Sequence, residues 1–196
     1  MSERQVFGLV LAGGKSRRMG RDKALLERDG QSQLAYIVEL LKGSVDKVFV
    51  STRPDQKNDE ERARYEQIVD RYDDLGPVAG ILTALHDYPE VDWLVVACDL
   101  PNIDEQTIAH LLQHRDGEQP FTAYISSHDG LPEPLCALYH SGCTGIIEQF
   151  VDAGINCPRK ILIRSETRLL EQPDPRSLDN VNTPDDLQDS ILQATR

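Results

Sequence analysis

The stretch DWLVVACD, residues 92–99, is apolar at nearly every position between its two aspartates. A run without in–out alternation needs cover on both faces, as strands have inside a parallel sheet layered by helices. QVFGLVL (5–11), which ends in glycines, has the same character, and KVFVS (47–51) reads as a further strand. Between these two, LAYIVELL puts Leu34, Ile37, Val38 and Leu41 on one face of an amphipathic helix, with Ser32 available as its cap. A short helix is expected around Asp59–Arg64 and a small strand at Gln67–Val69. Gly76-Pro77 opens a helix running to about His86. Another helix spans Asp104 to about His114. FTAYIS and PLCALYH are strands joined through the turn signal HDG, and helices follow at about Thr144–Ala153 and Pro158–Arg164. NTPDDLQDSILQA closes the chain, with Thr183 as cap and Pro184 opening a last helix.

Strands alternating with helices through short loops predict an α/β fold. The expected form is a three-layer α/β/α sandwich with a mostly parallel sheet, and the pair between Phe121 and His140 adds an antiparallel element. No repeat or linker divides the 196 residues, so one domain over 1–196 is expected. The formal charge of −12 disfavours a nucleic-acid surface, which needs broad phosphate neutralisation. No apolar run approaches the roughly 20 residues of a membrane span, and the N-terminus reads as a strand rather than a signal peptide. The expectation is a cytoplasmic protein without membrane or nucleic-acid partners. Cys98, Cys136, Cys143 and Cys157 form no C-x-x-C pair, which predicts four reduced thiols. His110 and His114 lack the H-E-x-x-H pattern and read as a packed or solvated pair.

The chemistry concentrates in LVLAGGKSRRMGRDKALL, residues 9–26, where Lys15, Arg17, Arg18, Arg21 and Lys23 crowd into nine positions of an acidic chain. A Walker A loop fails here. Gly8 and Gly13 are correctly separated, but Lys15 arrives one place late and the residues between them are strand-like. A Rossmann G-x-G-x-x-G fails too. What remains is a strand ending in glycines followed by a long cationic loop. Gly13 and Gly14 allow backbone amides to point at anionic oxygens, and Lys15, Arg18 and Lys23 neutralise phosphate charge. Such a loop lies at the carboxyl edge of an open α/β sheet, where ligands bind. Asp99, just after the buried strand, emerges at the same edge, and its carboxylate suits Mg²⁺ bridging to phosphates.

At this point a family resemblance is carried by five motifs. LAGGKSRRMGRDKALL resembles the signature of the molybdenum cofactor guanylyltransferases, the MobA-type nucleotidyltransferases. GPVAGILTAL, CDLP, PLCALY and NVNTPDDL are similar to that family's later motifs, in the same order. The resemblance implies a Rossmann-like nucleotidyltransferase fold and transfer of GMP from GTP to the phosphate of molybdopterin. Pyrophosphate leaves and the guanine dinucleotide cofactor forms, with Mg²⁺ as the metal. It also implies that Leu11, Ala12 and Gly13 lie against the nucleotide, with Lys23 at its phosphates. Asp70 contacts the nucleotide, Asp99 holds both metal and nucleotide, and Asn180 and Asn182 stand on the molybdopterin side. Ser51 occupies a place where the family commonly has Asn, which alters a nucleotide contact. Lys23, Arg18 and Asp99 are the expected catalytic groups. Cofactor-insertion proteins and molybdoenzymes are the partners it implies. Related enzymes using CTP or a sugar-phosphate acceptor are the alternatives, and Gly13-Gly14 resembles the guanylyl branch rather than the LAAG of cytidylyl relatives. A nucleotide-binding module without transfer activity is a further alternative, disfavoured by the presence of both Lys23 and Asp99.

Overall fold

The structure, a computed structural model, describes residues 4–14, 22–115, 117–181 and 186. Its strands are β1 (Val6–Leu11), β2 (Glu27–Arg28), β3 (Gln31–Ser32), β4 (Lys47–Thr52), β5 (Gln67–Val69), β6 (Asp92–Ala97), β7 (Phe121–Ile125), β8 (Pro132–Tyr139) and β9 (Thr167–Leu170). Its helices are α1 (Gln33–Lys42), α2 (Pro77–Asp87), α3 (Glu105–Gln113), α4 (Thr144–Asp152) and α5 (Pro158–Ile163). Seven strands form one sheet in the order β5-β4-β1-β6-β8-β7-β9, while β2 and β3 make a separate small hairpin.

Only β8 runs against the rest of that sheet: it is antiparallel to β6 and β7, whereas β1, β4, β5 and β6 pair in parallel, as do β7 and β9. The cause is local. β8 follows β7 through the short turn at Ser126–Leu131, closed by Ser126 N–H donating to Leu131 O at 2.8 Å, so the chain doubles back. The other strands are reached by longer crossovers, which carry α-helices except between β4 and β5, where there are only 3₁₀ turns.

The sheet is covered on both faces because its central strands are apolar on both. Val6 and Val10 of β1, with Leu94 and Val96 of β6, pack toward Leu34, Ile37 and Leu41 of α1 and Ile108 and Leu111 of α3. The alternate residues Phe7, Leu9, Trp93 and Val95 face the opposite layer, where Ile81, Leu82 and Leu85 of α2 meet Ile147 of α4 and Ile161 of α5. This is the three-layer sandwich that the apolar runs require. Ser32 caps α1 as expected, its hydroxyl accepting from Ala35 N at 3.0 Å, and Asp104 caps α3 in the same way through Thr107 N at 2.8 Å.

Three elements differ from expectation. The helix expected around Asp59–Arg64 is a single 3₁₀ turn at Arg62–Arg64. β9 is additional, a four-residue edge strand too short and too mixed in burial to signal itself by pattern. The β2–β3 hairpin is two residues per strand and sets the start of α1. The expected last helix, with Thr183 and Pro184, lies outside the described residues. No helix among the described residues is long and apolar enough to cross a membrane.

Candidate active site

The parallel strands β1, β4 and β6 end side by side. Leu11 is in register with Ser51 on one flank and Ala97 on the other. Past these ends Ala12 N–H donates to Ser51 O at 3.1 Å and Cys98 N–H to Leu11 O at 3.3 Å, so the next residues are carried outward at the carboxyl edge. A cleft of about 820 Å³ opens there, and Leu11, Ala12, Gly13 and Gly14 form one wall.

Lys23 and Asp99, separated by 76 positions, meet in this cleft. Asp22 Oδ1 accepts from Ala24 N–H at 3.1 Å and starts the 3₁₀ turn Lys23–Leu25. That turn directs Lys23 Nζ to Asp99 Oδ2 at 3.3 Å, and both side chains are largely shielded from solvent, 18% and 20% exposed. The Asp99 backbone is held in turn by Val181 N–H, 2.9 Å from Asp99 O. Asp99 Oδ1 is buried and has no hydrogen-bond partner among the described residues. An anionic oxygen left in that state fits a hard cation. The described residues contain no group of three or more His, Cys, Asp or Glu arranged to hold a metal. Mg²⁺ characteristically completes a site of this kind with phosphate oxygens and water.

A second group lies around Asp70, just past β5. Ser51 is buried, and its hydroxyl donates to Asp70 Oδ1 at 2.9 Å. Burial pushes the Asp70 carboxyl up to about 6, against the opposing effects of the Ser51 hydroxyl and the Arg53 guanidinium. Arg53 itself donates to Gly13 O at 2.6 Å and grips Asp55 through two bonds of 2.9 and 2.7 Å. Helix α2 comes close because its fourth residue is Gly80. A Cβ there would stand 3.1 Å from Asp70 Oδ1 and closer to the Ser51 hydroxyl than real Cβ atoms come. Gly76, at the start of α2, takes φ 57°, a conformation that favours glycine. Ser51 lines the cleft itself and is also tied there to Asp70 through its hydroxyl.

The structure brings Leu11, Ala12, Gly13, Gly14, Lys23 and Asp99, expected at the sheet edge, to one cleft with Ser51 and Asp70, which the family resemblance alone points to. Asn180 lines a smaller adjoining cavity of about 200 Å³, which shares Pro77 and Leu135 with the cleft. Arg18 and Asn182 lie outside the described residues. His110 and His114 are a packed pair, His110 Nδ1 lying 3.0 Å from Tyr124 OH and His114 Nδ1 2.8 Å from His110 O. All four cysteines are free.

Two contributors escape a reading of the chain. Arg62 sits in the polar run DEERARYEQ, where nothing distinguishes it from a solvated charge, yet it is wholly buried behind the cleft. Asp22 precedes Lys23 in the cationic stretch, and its only sequence signal is that aspartate favours positions ahead of a helical turn.

In its chemistry the cleft pairs a buffered cation and a carboxylate with an amide-rich turn on one side, and a half-buried acceptor with Asp73 and Asp74 on the other. That suits a ligand with a polyanionic part and a part rich in neutral donors. Residues 8–169 match the MobA-like NTP transferase domain. The chain is 38% identical over 186 residues to a molybdenum cofactor biosynthesis bifunctional protein of Synechocystis sp., covering 95% of this chain and 54% of that one. It therefore spans about half the length of that relative. A molybdenum cofactor guanylyltransferase of Pseudomonas paraeruginosa is 35% identical over 183 residues, 90% of each chain. The crystal structure of molybdopterin-guanine dinucleotide biosynthesis protein A from Archaeoglobus fulgidus superposes with a TM-score of 0.77 at 25% identity, covering 93% of this chain and 95% of that one. With the domain matched across most of its length and its glycine turn, lysine and aspartate meeting in one cleft, the chain belongs to the MobA-like NTP transferase family.

Proposed function

We propose that the chain is a nucleotidyltransferase, one domain over 1–196, that transfers GMP from GTP to the phosphate of molybdopterin. The observation that carries this reading is the Lys23–Asp99 pair at 3.3 Å beside the Gly13–Gly14 turn, in a cleft large enough for a nucleotide and an acceptor. Relatives named as molybdenum cofactor guanylyltransferases, aligned over most of their length, support the choice of substrates.

In this reaction an oxygen of the molybdopterin phosphate forms a bond to the α-phosphorus of GTP. The bond from that phosphorus to the oxygen bridging toward the β-phosphate breaks, and pyrophosphate carries the electron pair away. The nucleophile is already anionic, so no strong general base is needed. The barrier lies in bringing anions together and stabilising charge on the leaving group. Lys23, with Arg18, neutralises the triphosphate, while the amides of Gly13 and Gly14 orient its oxygens. Asp99 would hold Mg²⁺, which would supply charge neutralisation on the phosphate oxygens. Asp70 accepts hydrogen bonds from the nucleoside part, and Ser51 fixes its orientation. The acceptor's side is the small cavity beside Asn180, with Asn182 two positions further along the chain. Delivery of the product to molybdoenzymes through insertion proteins follows from the same reading.

The test is pyrophosphate release by the purified chain with Mg²⁺. Release should require GTP and molybdopterin together, and fall away with CTP or UTP. Lys23→Ala and Asp99→Ala should each abolish it while circular dichroism stays that of the folded protein. Near-normal turnover by either variant, or equal turnover with CTP, overturns the assignment.

A further inference from the structure

Arg62 is among the largest fully buried side chains of the protein and carries a permanent charge. A buried guanidinium is costly unless its donors are matched, so its partners show what it is there to hold. Arg62 Nε and Nη2 both donate to Ala12 O, at 3.1 and 2.7 Å. Nη2 also donates to Asp22 Oδ2 at 2.7 Å, and Nη1 to Asp59 Oδ1 at 3.1 Å. The backbone of this 3₁₀ turn is tied to the sheet, since Gln67 Nε2 donates to Arg62 O at 3.1 Å and Gln67 Oε1 accepts from the Thr52 hydroxyl at 3.1 Å. The guanidinium is therefore a fixed fork projecting from a turn tied to β4 and β5 toward the glycine turn.

Its two main partners bracket the cationic stretch. Ala12 is the residue before Gly13, and Asp22 is the residue before Lys23. Ala12 already donates its N–H to Ser51 O, so Arg62 consumes its remaining backbone polar group. Asp22 divides its two oxygens: Oδ2 goes to Arg62, and Oδ1 caps the turn that points Lys23 at Asp99. A continuous chain of contacts thus runs from the sheet through Arg62 and Asp22 to the Lys23 ammonium. Arg62 is buried behind the cleft wall and cannot touch a ligand in it.

We propose that Arg62 is a positioning residue for phosphoryl-group transfer in this cleft: acting through Asp22, it sets the place of the Lys23 ammonium relative to Asp99. The inference rests on the guanylyl-transfer reading for its kinetic consequence, but not for its geometric one. Lysine cannot replace it, because one ammonium keeps the charge but cannot reach a carbonyl and two carboxylates in the plane of a fork.

The experiment uses the full chain with Arg62→Lys and Asp22→Asn, singly. The first readout is competitive acetylation of native protein by trace reagent, comparing Lys23 with exposed Lys42 by mass spectrometry. In the wild type the shielded, ion-paired Lys23 should label slowly. Both substitutions should raise its rate relative to Lys42 by about 5-fold or more as the turn loosens, well below the melting temperature. The second readout is steady-state pyrophosphate release. Each substitution should lower kcat by about 10- to 100-fold, the effect of one lost charge-assisted hydrogen bond, with KM for GTP changed less than about 3-fold. A purely structural Arg62 would lower the melting temperature and leave Lys23 labelling and kcat as they were. If Arg62→Lys does not fold, Asp22→Asn decides, because Asp22 is only half-buried. Wild-type labelling of Lys23 in Asp22→Asn overturns the proposal. A wild-type chain inactive with GTP and molybdopterin, but showing the labelling change, overturns the substrate reading and leaves the positioning role standing.

Discussion

Replacing Asp70 by asparagine should make the protein more stable at neutral pH while weakening its use of nucleotide. Burial raises the Asp70 carboxyl from 3.8 to about 6, and the Ser51 hydroxyl and Arg53 only partly oppose it. A raised folded-state value means the native protein binds this proton more tightly than the unfolded chain does. The contribution to stability is therefore complete below 3.8 and is lost as pH rises through about 6. Expressed in full, the shift corresponds to about 3 kcal/mol against the ionised form. Solvent still reaches the carboxylate, so screening reduces this to about 1–2 kcal/mol. Asparagine keeps an oxygen for the Ser51 hydroxyl and removes the charge. At pH 8 the variant should melt about 2–8 °C higher, given about 2–4 °C per kcal/mol for a chain of this size. At pH 4 the wild-type carboxyl is protonated in the fold, and most of the gain should vanish. Thermal unfolding followed by circular dichroism at the two pH values gives the comparison. An unchanged or lower melting temperature at pH 8, or an equal gain at pH 4, refutes the reasoning. With Asp70 ionised as the nucleotide acceptor, wild-type GTP affinity should also fall as pH drops below about 6.

Gly80→Ala should push α2 away from β4 and β5, because the new methyl group would press on the Ser51 hydroxyl and Asp70. A stability loss of about 1–3 kcal/mol in urea unfolding and a KM for GTP raised about 10-fold are expected; unchanged kinetics would show that this contact does not shape the site. Alkylation of the native protein should modify Cys157 alone, since Cys98, Cys136 and Cys143 are buried and burial pushes their thiols up, the last two to about 12. Rapid labelling of a second cysteine in intact-mass measurements would contradict this.

Much of the architecture was legible because its signals are local. The two-sided apolar character of VFGLVL and DWLVVA demands layers above and below, and Ser32, Pro77 and Asp104 mark helix starts by short-range chemistry. β9 was not legible: TRLL becomes a strand only because β7 offers it an edge. Nor was the single turn at Arg62–Arg64, from which the Arg62 side chain reaches back to Ala12 O. In the site, Gly13, Lys23 and Asp99 stood out by charge and by position at strand ends. Arg62 did not, because an arginine among acidic residues looks the same whether it faces solvent or the interior. Ser51 was legible as a strand-end residue, but its bond to Asp70 depends on β4 and β5 lying side by side.

By itself the order of residues determined the layers, the strand ends and the kinds of groups gathered there, since hydrophobic period, capping and backbone freedom act over a few positions. Tertiary structure alone decided that Lys23 meets Asp99, that Ser51 turns to Asp70, and that one buried guanidinium ties Ala12 to Asp22. These contacts join residues 19 to 76 positions apart, and their strength depends on distance and exclusion of water, quantities that exist only once the sheet has closed.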